Sequence, residues 1–93
     1  MKVLVEFYGI PRLRAGQAVL ELSCNPQGQA LTLLDVFCDV ADQLPDFAQH
    51  CLNENGLRDG YTANLNGRRF VSDPTTPISD GECLLILSAD AGG

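Results

Sequence analysis

Leu84-Leu85-Ile86-Leu87-Ser88-Ala89-Asp90-Ala91-Gly92-Gly93 is the stretch around which the rest of the sequence is organised. Four consecutive apolar residues have the composition of a strand, and a glycine pair follows shortly after. Glycine has no side chain and costs the most backbone entropy to order, so such a pair suits a narrow channel that admits only bare backbone. The carboxylate of Gly93 is then the expected working group. A frayed end is the competing explanation, because chain termini are commonly unstructured.

Ninety-three residues are too few for two domains and ordinary for one: 45% are hydrophobic and 19% charged, enough for one modest core. Twelve acidic residues against six basic ones leave a formal charge of −6. Phosphate recognition needs clustered Lys and Arg, so nucleic acid and anionic membrane are not expected partners. No run approaches the 18 or so apolar residues of a membrane span, and Lys2 and Glu6 interrupt the opening too early for a secretory leader. The expected compartment is the cytoplasm. Cys24, Cys38, Cys51 and Cys83 are widely spaced without a C-x-x-C, so they are expected to be buried reduced thiols and not a zinc or iron-sulfur site.

Working outward from the last strand, residues 2–8 alternate, with Val3, Val5 and Phe7 on one side and Lys2, Glu6 and Tyr8 on the other. Leu4 breaks the polar side. Residues 9–16 are bounded by glycines and contain Pro11, which suits a hairpin connection, and a second strand is expected at 17–23 with Leu20 and Leu22 inward. Leu33, Val36, Phe37, Val40 and Leu44 recur at helical spacing behind Thr32, the natural N-cap, with Asp35 at the third helical position. Asp35, Asp39 and Asp42 are read as a solvated acidic stripe. Pro45 opens a short second helical piece through Leu52, and His50, the single histidine, is given no chemistry. Tyr61 to Leu65, then Asn66-Gly67, then residues 68–71 form the pattern of a type I′ hairpin, and Asp80-Gly81 turns into the last strand, Glu82 to Ser88.

One main helix covers one face of a sheet, so the expected architecture is an α+β roll, a mixed four- to five-stranded sheet packed on one main helix. The first and last strands are expected to pair in parallel in its middle. If Leu84 and Ile86 face the helix, Leu85 and Leu87 face away beside Leu4 and Tyr8. Either these four belong to a second buried layer, or they form an apolar patch for docking a partner.

The opening Lys2-Val3-Leu4-Val5-Glu6-Phe7-Tyr8, the arginine-bearing connection after it, Asn64-Leu65-Asn66-Gly67, Thr76-Pro77-Ile78-Ser79-Asp80-Gly81 and Gly92-Gly93, in this order, resemble the ubiquitin-like sulfur carriers of the β-grasp fold. That family includes the molybdopterin synthase small subunit and the thiamine sulfur carrier. The resemblance implies a single β-grasp sulfur-carrier domain over 1–93 with a flexible tail at 88–93. It implies that an adenylyltransferase related to ubiquitin-activating enzymes uses ATP and magnesium to adenylate the Gly93 carboxylate, and that a sulfur donor converts this to a thiocarboxylate. Gly92 lets the tail thread the partner. Leu85 and Leu87, with Leu4, Tyr8 and Ala91, hold it. The chain itself binds no cofactor and catalyses nothing alone. The acceptor enzyme would be the molybdopterin synthase large subunit first and thiazole synthase second, although Ser88-Ala89-Asp90-Ala91 lacks the proline-rich approach common in molybdopterin synthase small subunits.

Two other functions stay open at this point. A protein modifier conjugated through Gly93 would use the same tail, but Lys2 is the single lysine, which disfavours self-linked chains. A plain β-grasp adaptor would bind through the sheet alone and would not need Gly92 and Gly93.

Overall fold

The alternation of Val3, Val5 and Phe7 with Lys2, Leu4 and Glu6 closes as strand β1 (Lys2–Phe7), its first set buried and its second facing outward. The computed structural model describes residues 1–24 and 30–89. The expectations placed on residues 25–29 of the first loop and on Ala91, Gly92 and Gly93 lie outside the described residues. β2 (Val19–Ser23) runs antiparallel to β1 with Val3 opposite Leu22 and Val5 opposite Leu20, so both inward sets meet on one face.

Between them, residues 9–16 are more ordered than a simple connection. They fold as a short helix, α1 (Ile10–Ala15), with the buried Pro11 in its first turn, where a missing N–H leaves no bond unmade. Gly16 ends it at φ 73°, its amide donating to the Arg12 carbonyl at 3.0 Å. The left-handed cap is a backbone state that glycine enters at little steric cost.

α2 (Leu33–Gln43) is the main helix. Thr32 and Asp35 form a reciprocal capping box: Thr32 Oγ1 accepts from the Asp35 amide at 3.2 Å, and Asp35 Oδ2 accepts from the Thr32 amide at 2.9 Å. Leu33, Val36, Phe37 and Val40 form its buried stripe. Leu44 leaves helical geometry before Pro45, and α3 (Pro45–Cys51) turns back over the core, where Phe47 meets Phe7 edge to face with ring centroids 5.0 Å apart. A two-residue hairpin that the polar run 53–56 conceals, β3 (Leu52–Asn53) with β4 (Gly56–Leu57), follows it.

β5 (Tyr61–Leu65) and β6 (Arg69–Val71) form the expected hairpin. Asn66 and Gly67 both sit at positive φ, 61° and 72°, as a type I′ turn requires. β7 (Cys83–Ser88) then enters between β1 and β5, parallel to the first and antiparallel to the second, giving the order β2-β1-β7-β5-β6. Ser88, the expected end of the last strand and also the first residue of the expected tail, lies in β7 opposite Tyr61, and the Ala89 amide donates to the Gly60 carbonyl at 2.8 Å, so the tail starts later than position 88. Ladder pairing with β5 orders these small residues despite their composition.

Val3, Val5, Phe7, Leu22, Ala63, Leu65, Leu84 and Ile86 of the sheet and the stripe of α2 belong to one buried cluster. Replacing Phe47 by Ala should cost about 3–5 kcal/mol in a denaturant titration, because it deletes a buried ring. Phe70→Ala, on an exposed side chain of β6, should stay within about 0.5 kcal/mol. Similar losses for both would show that Phe47 is not part of the cooperative core.

Candidate partner-docking site

The sheet has one face against the helices and one without any, and the register determines what lies on the bare one. Leu84 and Ile86 of β7 are fully buried, so Leu85 and Leu87 point the other way. Both are half-buried, whereas Leu4 is 39% and Tyr8 44% exposed. No second layer covers these four among the described residues. Cross-strand pairing places Val19, Glu6, Leu85, Asn64 and Phe70 in one row across all five strands. Val19 at 47% and Phe70 at 67% exposure extend the apolar surface to both edges of the sheet. Neither was expected from the sequence, because Val19 opens a short strand and Phe70 lies between Arg69 and Val71 in a strand of three residues. Strand alternation from Leu22 and Val71, both buried, would have placed them.

Glu6 sits in the middle of this face. Tyr8 donates its hydroxyl to Glu6 Oε1, and Cys83 donates its thiol to Glu6 Oε2 at 3.1 Å. The two donors hold the Glu6 carboxyl below its ordinary value of 4.5, Tyr8 contributing most, while burial opposes them. The hydrogen bond to Glu6 in turn pushes the Tyr8 phenol up. Burial, then the bond to Glu6, pushes the Cys83 thiol up to about 11, so it is a neutral donor at physiological pH. Across Leu85 from Glu6, Asn64 Oδ1 is shielded from solvent without a hydrogen-bond partner, as is Ser88 Oγ near the end of β7. Unpaired buried polar atoms are uncommon in folded proteins, and both lie on strands that lead to the tail or flank it.

The four cysteines are free, and burial does not hold for all of them: Cys24 and Cys51 are buried, Cys83 is half-buried and Cys38 is exposed on α2. The acidic stripe also divides. Asp35 and Asp42 are exposed, Asp35 also serving the capping box, whereas Asp39 is half-buried and accepts from the Cys24 thiol at 3.2 Å. His50 stacks no chemistry around itself; its Nδ1 lies 2.9 Å from the Asp46 carbonyl oxygen within α3. Among the described residues no three His, Cys, Asp or Glu side chains are grouped as metal ligands, and no helix is long and apolar enough to cross a membrane. Gly92, Gly93 and Ala91, on which the chemical part of the expected site depends, lie outside the described residues.

A parallel pair of terminal strands at the centre of a mixed sheet, wrapped on one side by a main helix, is the β-grasp fold of ubiquitin-like proteins. Sequence comparison finds no matching family model and no matching curated protein. Solved structures do match over nearly the whole chain. SAMP1 of Haloferax volcanii superposes with a TM-score of 0.81 at 15% identity, covering 100% of both chains. A chain of the BexX/CysO complex of Amycolatopsis orientalis matches with a TM-score of 0.73 at 25% identity, over 98% of this chain and 99% of that one. A protein described as molybdopterin converting factor, subunit 1, of Pyrococcus furiosus matches with a TM-score of 0.69 at 21% identity, over 95% and 97%. The likeness to these structures shows a shared β-grasp fold.

The Glu6 cluster has a consequence in titration. A carboxyl held low stabilises the folded chain above the unfolded value, and that contribution is lost as pH falls through the folded value. Tyr8→Phe removes the larger of the two donors, so the Glu6 midpoint should rise toward 4.5 in a carboxyl-detected NMR titration. An unchanged midpoint would mean that the hydroxyl does not hold the carboxylate in solution.

Proposed function

We propose that this chain is a sulfur carrier that works through the carboxylate of Gly93. The observation that carries the reading is the placement of β7: the strand at the centre of the sheet presents Leu85 and Leu87 on the bare apolar face and leads directly to the Gly-Gly end. The likeness to known sulfur carriers supports it. A carboxylate is resonance-stabilised and a poor electrophile in water. An adenylyltransferase of the ubiquitin-activating type therefore joins it to AMP, with ATP and magnesium held by that enzyme, and a sulfur donor displaces AMP to leave a thiocarboxylate. The division of labour follows: Leu4, Tyr8, Leu85 and Leu87 hold the partner, while Ala91, Gly92 and Gly93 reach its active site. The chain supplies no catalytic group, and the reactions run in the cytoplasm, where free thiols such as its own stay reduced.

For the acceptor we propose molybdopterin synthesis, with the large subunit of molybdopterin synthase as the partner; the Pyrococcus furiosus neighbour, described as a molybdopterin converting factor subunit, favours it. Thiazole formation for thiamine, or another sulfur metabolite, is the alternative acceptor. A second reading, attachment to protein lysines, is favoured by the neighbours described as small archaeal modifier protein 1. It would use the same activation, and single attachment is the form compatible with Lys2 as the single lysine.

The test is intact-mass analysis after co-expression with the adenylyltransferase and sulfur donor of the same organism. The full chain should gain the mass of one oxygen-to-sulfur exchange at its end. A chain lacking Gly92 and Gly93 should melt like the full chain and gain nothing. Sulfur transfer to the truncated chain would refute the carrier reading, and adducts on cellular lysines that survive denaturation would favour the modifier.

A further inference from the structure

Glu6 is a half-buried anion flanked by apolar side chains on the bare face of the sheet. Along β1 its outward neighbours are Leu4 and Tyr8; across the sheet they are Val19 and Leu85. Both hydrogen bonds it accepts come from neutral donors, Tyr8 and Cys83, so they orient the carboxylate and leave its charge in place. Among the described residues Glu6 has no ion-pair partner. Lys2, at the far end of the same strand, is paired instead with Glu21 at 3.3 Å. A surface that covers Leu4, Leu85 and Tyr8 must strip water from Glu6 as well, and a desolvated charge left unpaired weakens association severely.

We infer that the activating adenylyltransferase, on the carrier reading above, meets this face with an apolar groove that carries one Arg or Lys positioned to pair with Glu6. The cation makes Glu6 a specificity element: an apolar groove without it would pay the desolvation of the carboxylate and gain nothing in return. Leu4, Tyr8 and Leu85 would bind many hydrophobic grooves, while Glu6 selects those with a matching charge. The same charge disfavours a second copy of this chain as the occupant. A two-fold contact through the face would bring the two Glu6 carboxylates toward one another, with no cation between them.

The Tyr8 and Cys83 donors make the pairing more selective. They occupy one side of each carboxylate oxygen and limit rotation of the side chain, so a planar, two-donor guanidinium fits the remaining lone pairs better than a freely placed charge.

Calorimetry with the purified adenylyltransferase of the same organism tests this, using the full chain, Glu6→Gln, Glu6→Leu and Leu85→Asp, each checked for an unchanged melting profile. Glu6→Gln keeps the shape and removes the charge, and should weaken binding about tenfold or more. Glu6→Leu should weaken it at least as much, because it leaves the enzyme's cation buried without a partner. The salt dependence of the full chain should be reduced in both. Equal or tighter binding by Glu6→Leu would overturn the inference while leaving the docking face intact. Normal binding by Leu85→Asp would remove the docking face itself, and absence of binding by the full chain would overturn the carrier reading along with the inference. A dimer of the full chain in sedimentation that Leu85→Asp disrupts would assign the face to a second copy and also overturn it.

Discussion

The parallel pairing of β1 with β7 is the constraint on which the rest of this structure depends. Parallel neighbours cannot be joined by a tight turn, so the chain between Phe7 and Cys83 must travel from one end of the sheet around to the other. It does so by way of α2 and α3, which cover one face on the way, and by the β5–β6 hairpin, which extends the sheet beyond β7. Pairing of Val5 with Leu84 and Phe7 with Ile86 brings the buried residues of both strands under the same helical cover. A slip of one residue would exchange them with Leu85 and Glu6, which would bury a carboxylate.

That register also creates the bare face. Central strands buried on both sides read as continuous apolar runs, and β7 has that composition, yet the helices reach one side of it. The four apolar residues at 84–87 are thus divided, Leu84 and Ile86 in the core and Leu85 and Leu87 on the bare face, where we propose that a partner docks. The cost of leaving apolar surface in water is moderated by the half-burial of Leu85 and Leu87 among Leu4, Tyr8 and their neighbours. The charge of Glu6 works in the same direction, keeping the face hydrated.

Much of this was legible from residue order. Period-two alternation located β1 and β2, the Asn66-Gly67 turn located the β5–β6 hairpin, helical spacing located α2, and Thr32, Pro45 and Asp80-Gly81 marked further boundaries, because each of those residues meets a specific backbone requirement. What escaped was short or held by tertiary contacts. α1 is six residues long and its sequence is that of a turn; it stands because Pro11 is buried and Gly16 caps it. β3 and β4 are two residues each, too short to carry a period. The end of the last strand at Ser88 was legible, and pairing with β5 carries the ladder's hydrogen bonding on to Ala89.

The candidate site divides along the same line. The sequence by itself determined which residues could face outward, since Leu4, Leu85 and Leu87 lie out of phase with the buried sets of their own strands, and it alone supplies Gly92 and Gly93, the end we propose to react. Only the tertiary structure decided that Glu6, Tyr8 and Cys83 share a hydrogen-bonded cluster, and that Val19, Glu6, Leu85, Asn64 and Phe70 form one row. Those residues are distant in the chain and become neighbours through strand order and register. Both are chosen by the burial of the opposite face and are invisible in any single strand.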